Sequence, residues 1–368
     1  MKWRLVMKKN NVLIMAGGTG GHVIPAISVA RELKLKGYKI HWLGSIKGIE
    51  NDLVPDAGYE LHRITVTGLR GGGIFKIALA PFQLMIAMWQ TLKVFIKVKP
   101  VMALGMGGFA SGPGGLMAVL SRTPLVIHEQ NAIPGMTNKL LSRFAKPLLQ
   151  AFDGAFKSIK GVKTVGNPVR ETIARLDDPK NRLADRIDNL NVLVVGGSLG
   201  AVAINNVLIE TMGSLPASSL VNVWHQTGKR NYDDVKKGYE AVNVSNVKVS
   251  AFIADMAEAY KWADIVICRS GALTVSELMS AGVASILVPY PFAVDDHQTA
   301  NGQFLVKAGA AILTPQSEFT CEYLTAEFHK LIKSREHILN MSIAARTLAK
   351  LDSAKTVANY CIEAAHGR

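Results

Sequence analysis

The 368-residue sequence has few cysteines and no spacing typical of a metal site or a disulfide framework. Its three cysteines, Cys268, Cys321 and Cys361, form no CxxC pair, so we expect reduced thiols rather than zinc ligands or disulfide partners. The DxD and HExxH patterns are also missing. We therefore expect chemistry that uses neither a bound metal nor a cofactor.

Aromatic side chains are scarce, at 7%. No RNP, KH, zinc-finger or helix-turn-helix pattern occurs, which argues against a nucleic-acid partner. Acidic residues are missing between Glu60 and Glu129, where seven basic residues occur. Residues 1–166 carry 22 Lys/Arg and 7 Asp/Glu, a net charge of +15, whereas residues 167–368 carry 20 and 21, a net charge of −1. This asymmetry predicts an anionic partner for the first half, and a membrane surface is favoured over nucleic acid.

Long apolar runs that could span a membrane are missing as well. The charge-free segment at residues 77–92 is short, is interrupted by Pro81 and is flanked by Lys76 and Lys93. Apolar bulk with basic flanks is typical of a segment that lies in the membrane interface and is attracted to anionic lipid. The alternative is a buried helix with a solvated lysine face. The residues predicted to contact the membrane are Phe75, Lys76, Leu79, Phe82, Trp89, Lys93 and Lys97.

What the sequence does contain is two similar strand–glycine-loop segments. NVLIMAGGTGG begins at Asn11 and NVLVVGGSLGA begins at Asn191, and each opens a series of short apolar runs that alternate with helical stretches. This alternation predicts an α/β fold of two Rossmann-like domains with parallel sheets, at residues 1–166 and 167–352. The Asn-Pro of VGNPVR marks the boundary. Strands are predicted at residues 12–15, 39–43, 101–104, 124–127, 192–195, 221–224, 247–249, 264–268 and 284–288.

The glycine loops predict anion binding. Glycines after a strand let the backbone approach a ligand, and the next helix presents free N–H groups. A dinucleotide fingerprint is excluded for the first loop, because Val23 stands where the third glycine belongs and no acidic residue ends the second strand. His22, at the mouth of this loop, is a candidate general base near neutral pH. A capping or phosphate-binding role for His22 is the alternative.

A second group of candidate ligand-binding residues follows the apolar run DIVIC in the second half of the chain. Ser270, Thr274 and Glu277 share one face near the start of a predicted helix, where hydroxyl and N–H groups suit phosphates and a carboxylate suits a ribose diol. An N-cap serine with a glutamate in a later turn is the alternative. The next loop is rich in side chains that can bind a sugar: Asp295, Asp296, His297, Gln298 and Asn301.

Together these motifs resemble the MurG family of peptidoglycan glycosyltransferases. The ordered matches cover nearly the whole chain: GGTGGHVIPAISVA, WLGS, GLRGGG, LGMGGFASGPGG, HEQNAIPG, VGNPVR, GGSLGA, WHQTGK, FIADM, CRSGALTVSE and DDHQTANG. The resemblance implies a GT-B fold, in which two Rossmann-like domains face each other across a deep cleft. It further implies an N-terminal domain that binds acceptor and membrane, a C-terminal domain that binds UDP-N-acetylglucosamine, and a helix at residues 353–368 that returns to the N-terminal domain.

The activity that the resemblance implies is an inverting, metal-independent transfer of N-acetylglucosamine. The sugar would pass from UDP-N-acetylglucosamine to the C4 hydroxyl of the muramyl sugar in undecaprenyl-linked lipid I, giving lipid II and UDP in peptidoglycan synthesis, and so in cell shape and division. The implied location is peripheral, on the cytoplasmic face of the inner membrane, near other proteins of cell-wall synthesis and division. Two rivals stay open: a UDP-N-acetylglucosamine 2-epimerase and a non-catalytic subunit that docks a partner enzyme.

The resemblance also assigns roles to individual residues. The candidate bases are His22, His128 and Glu129. The implied donor-binding residues are Thr19, Gly20, Gly21, Asn131, Arg170, Ser198, Ile253, Ala272, Leu273, Thr274, Val275, Ser276, Glu277, His297, Gln298 and Asn301. The implied acceptor-binding residues are Gly18, Gly107, Gly108, Ser111, His128 and Asn131. Three positions depart from the family pattern: Leu199 in place of Gln, Phe109 in place of Tyr, and His297 in place of the first of two glutamines.

Overall fold

The structure is a computed structural model. It describes residues 10–66, 74–186, 189–197, 200–216 and 219–367, without the side chains of residues 74–80 and 294. The chain divides into two compact units, Met1–Arg170 with Asp352–Arg368 and Glu171–Leu351. Arg170 therefore lies in the first unit, four residues beyond the predicted boundary. Among the described helices, none combines the length and the hydropathy needed to cross a bilayer.

The first unit is built on a seven-stranded sheet with all strands parallel, in the order β3-β2-β1-β4-β5-β6-β7. Its central strands are runs of Val, Ile and Leu because both of their faces are buried under helices. The strands are β1 (Asn11–Met15), β2 (Lys39–Ser45), β3 (Glu60–Ile64), β4 (Met102–Gly105), β5 (Leu125–Glu129), β6 (Leu148–Gln150) and β7 (Lys163–Thr164). The helices are α1 (Gly20–Leu35), α2 (Glu50–Asp56), α3 (Ile74–Val98), α4 (Ser111–Leu120) and α5 (Met136–Leu141).

The second unit repeats this plan with a six-stranded parallel sheet in the order β10-β9-β8-β11-β12-β13. The strands are β8 (Leu190–Val195), β9 (Val221–Gln226), β10 (Val247–Ser250), β11 (Ile265–Cys268), β12 (Ala284–Leu287) and β13 (Ala311–Leu313). The helices are α6 (Glu171–Ala174), α7 (Pro179–Leu183), α8 (Val202–Ser214), α9 (Tyr232–Ala241), α10 (Met256–Trp262), α11 (Ala272–Ala281), a 3-10 turn (Val294–Asp296), α12 (His297–Lys307), α13 (Cys321–Lys333) and α14 (Arg335–Thr347).

The last helix, α15 (Ser353–Ala365), belongs to the first unit. It packs on α1. Its buried residues Val357 and Cys361 share a hydrophobic cluster with Trp42 of β2. The opposite face of the same sheet is covered by α3 and α4, where Phe95 and Met117 pack on Leu13. The first unit therefore has one core on each face of its sheet.

The α/β class and the two parallel sheets are confirmed, and all nine predicted strands are present. Four further strands were missed: β3, β6, β7 and β13. The sequence of β3, ELHRI, is polar because the strand lies at a sheet edge and is only partly buried. The other three have two or three residues each, too short for a periodic pattern.

Candidate active site

The predicted motifs lie at the same topological position in both units. In each sheet the strand order reverses beside the first strand, between β1 and β4 and between β8 and β11. Ligands of open parallel sheets bind at such switch points, beyond the carboxyl ends of the strands. The GGTGGH and MGG segments follow β1 and β4, and the GGSLGA and RSG segments follow β8 and β11. Each unit therefore places two of its motifs at the edge where this fold binds ligands.

The first glycine loop is held by Glu50, a residue that sequence reasoning missed. Glu50 is fully buried. Its carboxylate accepts hydrogen bonds from the Gly18 N–H (2.9 Å), the Ser45 N–H (3.0 Å) and the Ser45 hydroxyl (2.6 Å). A Cβ on Gly17 or on Gly48 would fall 2.5 or 2.2 Å from a carboxylate oxygen of Glu50. The glycines of the loop are thus needed partly to make room for this carboxylate.

A chain of hydrogen bonds leads from His22 into the protein. The His22 Nδ1 lies 3.0 Å from Oε1 of Gln130, whose Nε2 lies 3.3 Å from Nδ1 of His128. The His128 Nε2 lies 2.9 Å from the carbonyl oxygen of Gly166. A carbonyl can only accept, so His128 donates from Nε2. Burial lowers the pKa of His128 to about 4, so at neutral pH its Nδ1 carries a lone pair and accepts from Gln130.

The direction of this chain sets the tautomer of His22. With its amide nitrogen donating to His128, Gln130 presents its oxygen to His22. The His22 Nδ1 must then carry the proton, which leaves the lone pair of neutral His22 on Nε2. Gln130 was part of the HEQN motif but received no predicted role. It is the link that orients the candidate base.

The two rival bases are buried in the first unit. The His128 side chain is fully buried, and both of its ring nitrogens have partners. Glu129 is 1% exposed, and its carboxylate accepts hydrogen bonds from the backbone and side chain of Asn131, from the Gly135 N–H and from the Asn138 amide. These contacts order the loop before α5. The geometry favours His22 over both, because His22 is only half-buried.

The predicted acceptor residues after β4 lie against His22 and the first glycine loop. Gly107 has a φ of +92°, and a Cβ there would lie 2.8 Å from the His22 ring. Gly108 packs against the carbonyl of Gly17. The buried hydroxyl of Ser111 lies 2.8 Å from two backbone carbonyls that it can donate to, those of Met15 and Gly107. Ser111 thus ties the two loops together, and its part in acceptor binding stays a prediction.

The remaining predicted residues of the first unit lie near its loops. Thr19 is the exposed residue that precedes α1, and Gly20 and Gly21 form the first turn of that helix. Asn131 is half-buried, and its amide donates to Glu129. Arg170 is half-buried at the end of the unit.

In the second unit, Gln226 holds the glycine loop. Its Oε1 accepts from the Gly197 N–H at 3.0 Å, and its Nε2 donates to the Gly197 carbonyl at 3.1 Å. Gly200 packs so closely on Asn231 that a Cβ would fall 2.0 Å from its amide nitrogen. Ser198 and Leu199 lie outside the described residues. Gln226 belongs to the WHQTGK motif, but sequence reasoning gave it no role.

The predicted donor helix begins where expected. Gly271 precedes α11 and offers no side-chain cap. Glu277 is largely buried, and its Oε2 accepts a hydrogen bond from the Tyr260 hydroxyl at 3.0 Å. Val275 and Ala272 are buried, whereas Leu273 and Thr274 are half-exposed. The hydroxyl of Ser276 donates to the Ala272 carbonyl within the helix.

The loop before α12 carries unusual backbone. Asp295 and Asp296 both adopt left-handed conformations, with φ of 52° and 50°. Gln298, in the first turn of α12, accepts from the Tyr290 N–H at 2.9 Å, and half-buried His297 begins the helix. Strained backbone of this kind tends to cluster at functional sites.

Three other predicted positions differ in exposure. Asn301 is buried, and its amide donates to the Ser270 carbonyl, which joins α12 to the loop before α11. Ile253 is largely buried. Phe109 is half-exposed in the loop after β4.

Helix α3 presents a second candidate surface. One face is buried in the core, whereas a stripe of large apolar side chains on the other is exposed: Phe82, Met85, Ile86, Trp89 and Ile96. The ammonium of Lys93 lies 3.3 Å from the centre of the Trp89 ring, and Lys97 donates to Glu60. The exposed face of α3 thus carries large apolar side chains as well as Lys93 and Lys97, more than the solvated lysine face of the alternative. The side chains of Phe75, Lys76 and Leu79 lie outside them.

Comparisons with known proteins agree with the motifs. Residues 12–150 match the glycosyltransferase family 28 N-terminal domain, and residues 191–357 match the glycosyltransferase family 28 C-terminal domain. A protein of Marinobacter nauticus is 50% identical over 98% of this chain and 99% of its own length, and one of Pseudomonas savastanoi is 47% identical over 97% and 99%. Both are named UDP-N-acetylglucosamine–N-acetylmuramyl-(pentapeptide) pyrophosphoryl-undecaprenol N-acetylglucosamine transferase.

Solved structures give the same result. The crystal structure of Acinetobacter baumannii MurG has a TM-score of 0.82 and 38% identity, and covers 96% of this chain and 99% of that chain. The UDP-GlcNAc 2-epimerase of Neisseria meningitidis has a TM-score of 0.66 but only 13% identity, over 96% of this chain and 100% of that chain. The likeness to the epimerase, at 13% identity, shows a shared GT-B fold alone. The much higher identity to MurG supports the transferase over the epimerase alternative.

Proposed function

The chain belongs to glycosyltransferase family 28, and on that premise we propose how its two units divide the reaction. The chain transfers N-acetylglucosamine from UDP-N-acetylglucosamine to N-acetylmuramyl-(pentapeptide) pyrophosphoryl-undecaprenol, which converts lipid I to lipid II in peptidoglycan synthesis. The first unit binds the acceptor and supplies the base. The second unit binds the donor and stabilises UDP as it leaves.

His22 is the general base in this proposal. The reaction removes a proton from the C4 hydroxyl of the muramyl sugar as its oxygen attacks the anomeric carbon, and inversion requires no covalent intermediate. The hydrogen-bond chain through Gln130 and His128 is the observation that carries this assignment, since it puts a lone pair on Nε2 of His22. The proton taken up at Nε2 would give an imidazolium whose Nδ1–H still donates to Gln130.

The acceptor diphosphate binds at the start of α1. The Gly18 N–H is already bonded to the Glu50 carboxylate, so it is not available to an anion. The N–H groups of Gly20 and Gly21 lie in the first helical turn, where they have no partners within the helix and where the helix dipole favours negative charge. We therefore assign the diphosphate a position beside His22 rather than over the whole loop.

The donor binds at the start of α11 in the second unit. Tyr260 fixes the Glu277 carboxylate by donating to one of its oxygens, which suits the carboxylate to accept from ribose hydroxyls. In this proposal the diphosphate lies near the N-terminus of α11, where the positive end of the helix dipole stabilises the charge that develops on UDP as the bond breaks. Gln298 contacts the transferred sugar, and a role for Arg170 at the donor diphosphate stays a prediction. No step in this proposal requires a metal ion.

The exposed stripe on α3 lies on a membrane. Trp89 and Phe82 are more than half exposed, and Lys93 adds positive charge next to Trp89. Apolar side chains insert into the headgroup boundary, and each basic residue near an anionic surface adds about 1 kcal/mol of attraction. The acceptor is an undecaprenyl lipid, so we place the chain at the cytoplasmic face of the inner membrane. Contacts with other proteins of cell-wall synthesis and division stay a prediction.

The test uses radiolabelled UDP-N-acetylglucosamine, a short-chain lipid I analogue and the His22→Ala variant. We expect label to move to the lipid with wild type and the rate to fall by about 100-fold or more in the variant, since a positioned base contributes about 10²–10⁴-fold. The matched control is His329→Ala, an exposed histidine of α13, which should keep the wild-type rate. Near wild-type transfer by His22→Ala would remove His22 as the base. Release of an epimerised sugar nucleotide by wild type would overturn the transferase.

A further inference from the structure

A cluster of ligating side chains lies at the edge of the first sheet, in residues that the reaction does not use. His41 of β2 stands opposite Glu60 of β3 in the strand register, and Leu43 stands opposite His62. Side chains two apart along a strand share a face. His41, Glu60 and His62 therefore lie on the face that carries Leu43 and Ile64, which pack with α3. Sequence spacing gave no signal, because the cluster forms only when the two strands pair.

The three side chains converge on one point. The His41 Nδ1 lies 3.2 Å from the His62 Nε2 and 3.3 Å from a Glu60 oxygen, and the His62 Nε2 lies 3.6 Å from the other Glu60 oxygen. Zinc bonds of about 2.0–2.2 Å in a tetrahedron put neighbouring ligand atoms roughly 3.3–3.6 Å apart. The observed separations fall close to this range. The pairing of β2 with β3 makes the three residues neighbours, and their side chains already lie at these separations without an ion.

The ligands suit a transition-metal cation and can be reached from solvent. Imidazole nitrogen and carboxylate oxygen are typical ligands of Zn²⁺ and its first-row neighbours. The imidazoles are largely buried, whereas the Glu60 side chain is 43% exposed and opens the site to solvent. The two ring nitrogens that face each other share a hydrogen bond, so one of them carries a proton in the metal-free protein, and binding of a cation would displace that proton.

Lys97 competes with a cation for this site. Its ammonium lies 2.8 Å from Oε1 of Glu60, one of the two oxygens that face the histidines. A divalent cation bound to Glu60 would repel Lys97 and replace it as the partner of the carboxylate. Lys97 lies near the end of α3, the helix that carries the exposed apolar stripe. Occupation of the site would thus free a lysine at the surface that we assign to the membrane.

We propose that His41, Glu60 and His62 form a binding site for a divalent transition-metal cation of the Zn²⁺ type. Water completes the coordination on the solvent side. The cation crosslinks β2 to the edge strand β3 and releases Lys97 from Glu60. It takes no part in sugar transfer.

The experiment titrates Co²⁺ into the full chain after metal removal and tag cleavage, and follows visible absorption. We expect one Co²⁺ per chain with the intense bands of four-coordinate cobalt, displaced by one equivalent of Zn²⁺. His62→Gln should weaken binding by at least about 100-fold, more than the 10–100-fold cost of losing a neighbour of a metal ligand. The matched control, His329→Gln, removes an exposed histidine elsewhere and should bind as wild type does.

Lys97→Ala should change the affinity for Co²⁺ in the opposite direction to His62→Gln. Without the competing ammonium, the site should bind Co²⁺ several-fold more tightly, whereas Glu60→Gln should weaken binding as His62→Gln does. Circular dichroism of each metal-free variant checks that it folds, and Zn²⁺ should raise the unfolding temperature of wild type but not of His62→Gln. Binding that is unchanged in both His62→Gln and Glu60→Gln would overturn the site. Binding by Lys97→Ala no tighter than by wild type would overturn the exchange with Lys97.

Discussion

The two units hold their first glycine loops with groups of different charge. In the first unit the Glu50 carboxylate takes the Gly18 N–H, whereas in the second the neutral Gln226 amide both accepts from and donates to Gly197. The same strand–loop–helix topology therefore carries different electrostatics. In the first unit the Gly18 N–H binds the buried Glu50 carboxylate, and His22 follows in the same loop. In the second unit a neutral side chain, Gln226, holds the loop, and we assign the donor to this unit.

Both units also bury a histidine next to their switch-point strands, and only one of them reaches the candidate site. His128 connects through Gln130 to His22. His225 of β9 is hydrogen-bonded to Tyr239 and Asn205, which belong to the helices around the second sheet. A buried histidine is therefore not by itself a sign of catalysis. His128 differs from His225 because hydrogen bonds through Gln130 connect it to the half-exposed side chain of His22.

Replacing Glu50 or Gln226, the side chains that hold the two glycine loops, should give the largest effect on stability. In Glu50→Gln, at least one buried N–H donor that faces the carboxylate meets an amide N–H₂ instead and the charged hydrogen bonds are lost, so we expect the first unit to lose about 3 kcal/mol of stability. Gln226→Ala loses neutral hydrogen bonds and should cost the second unit about 1–2 kcal/mol. Hydrogen exchange followed by mass spectrometry reports each unit separately. Equal losses of stability in the two variants would contradict a difference between the charged support of the first loop and the neutral support of the second.

Membrane binding should belong to the first unit alone. Trp89→Ala combined with Phe82→Ala removes two exposed apolar side chains, and we expect binding to anionic vesicles to fall by about 100-fold, since burying such a side chain is worth about 1.5–3 kcal/mol. The matched control is Leu220→Ala, which removes an exposed apolar side chain of the second unit. Vesicle sedimentation at low salt measures both. A loss of equal size in the control would place the membrane surface elsewhere.

Acid should destabilise both units through their buried histidines. Burial lowers the pKa of His128 to about 4 and that of His225 to about 3. Each stays neutral in the folded state while the unfolded chain takes up a proton below about pH 6.5, so stability is full above that pH and falls as the pH drops towards the folded pKa. At pH 5 each histidine should cost about 2 kcal/mol relative to pH 7. Hydrogen exchange at the two pH values should show this loss reduced in the first unit by His128→Gln, where burial also lowers the pKa of His41 and of His62, and reduced in the second by His225→Gln.

Removing the donor carboxylate should have the smallest of these effects. Glu277→Gln keeps the shape of the side chain and loses the charge that we assign to the ribose, so the KM for UDP-N-acetylglucosamine should rise by about 10-fold. The KM for the lipid I analogue should not change, because the acceptor binds the other unit. Steady-state kinetics with each substrate varied in turn measures both. A rise in the acceptor KM alone would reverse the assignment of the units.

Much of the fold could be predicted from the sequence, because buried parallel strands are runs such as NVLIM and NVLVV that stand out against helical stretches. The polar edge strand β3 could not, since its burial on one face depends on β2 and α3. His22 was found because its glycine motif is contiguous in the sequence. Glu50 was not, because it lies 32 residues from Gly18 and meets the loop only after β2 pairs with β1.

For a similar reason, the sequence alone could not decide which of His22, His128 and Glu129 is the general base. HEQN supplies two titratable side chains and two amides in a row, and nothing in the sequence says which of them point inwards. Burial of His128 and the four donors around Glu129 separate them from His22.

The most direct test of the account is the tautomer of His22, measured by ¹⁵N NMR on protein labelled at the imidazole nitrogens of histidine. The nine histidines require assignment by difference, with His22→Gln removing the signals of interest. The account predicts that neutral His22 carries its proton on Nδ1 and a lone pair on Nε2, and that Gln130→Leu disturbs this preference. A proton found on Nε2 in the wild-type protein would contradict the hydrogen-bond chain, and with it the assignment of His22 as the base.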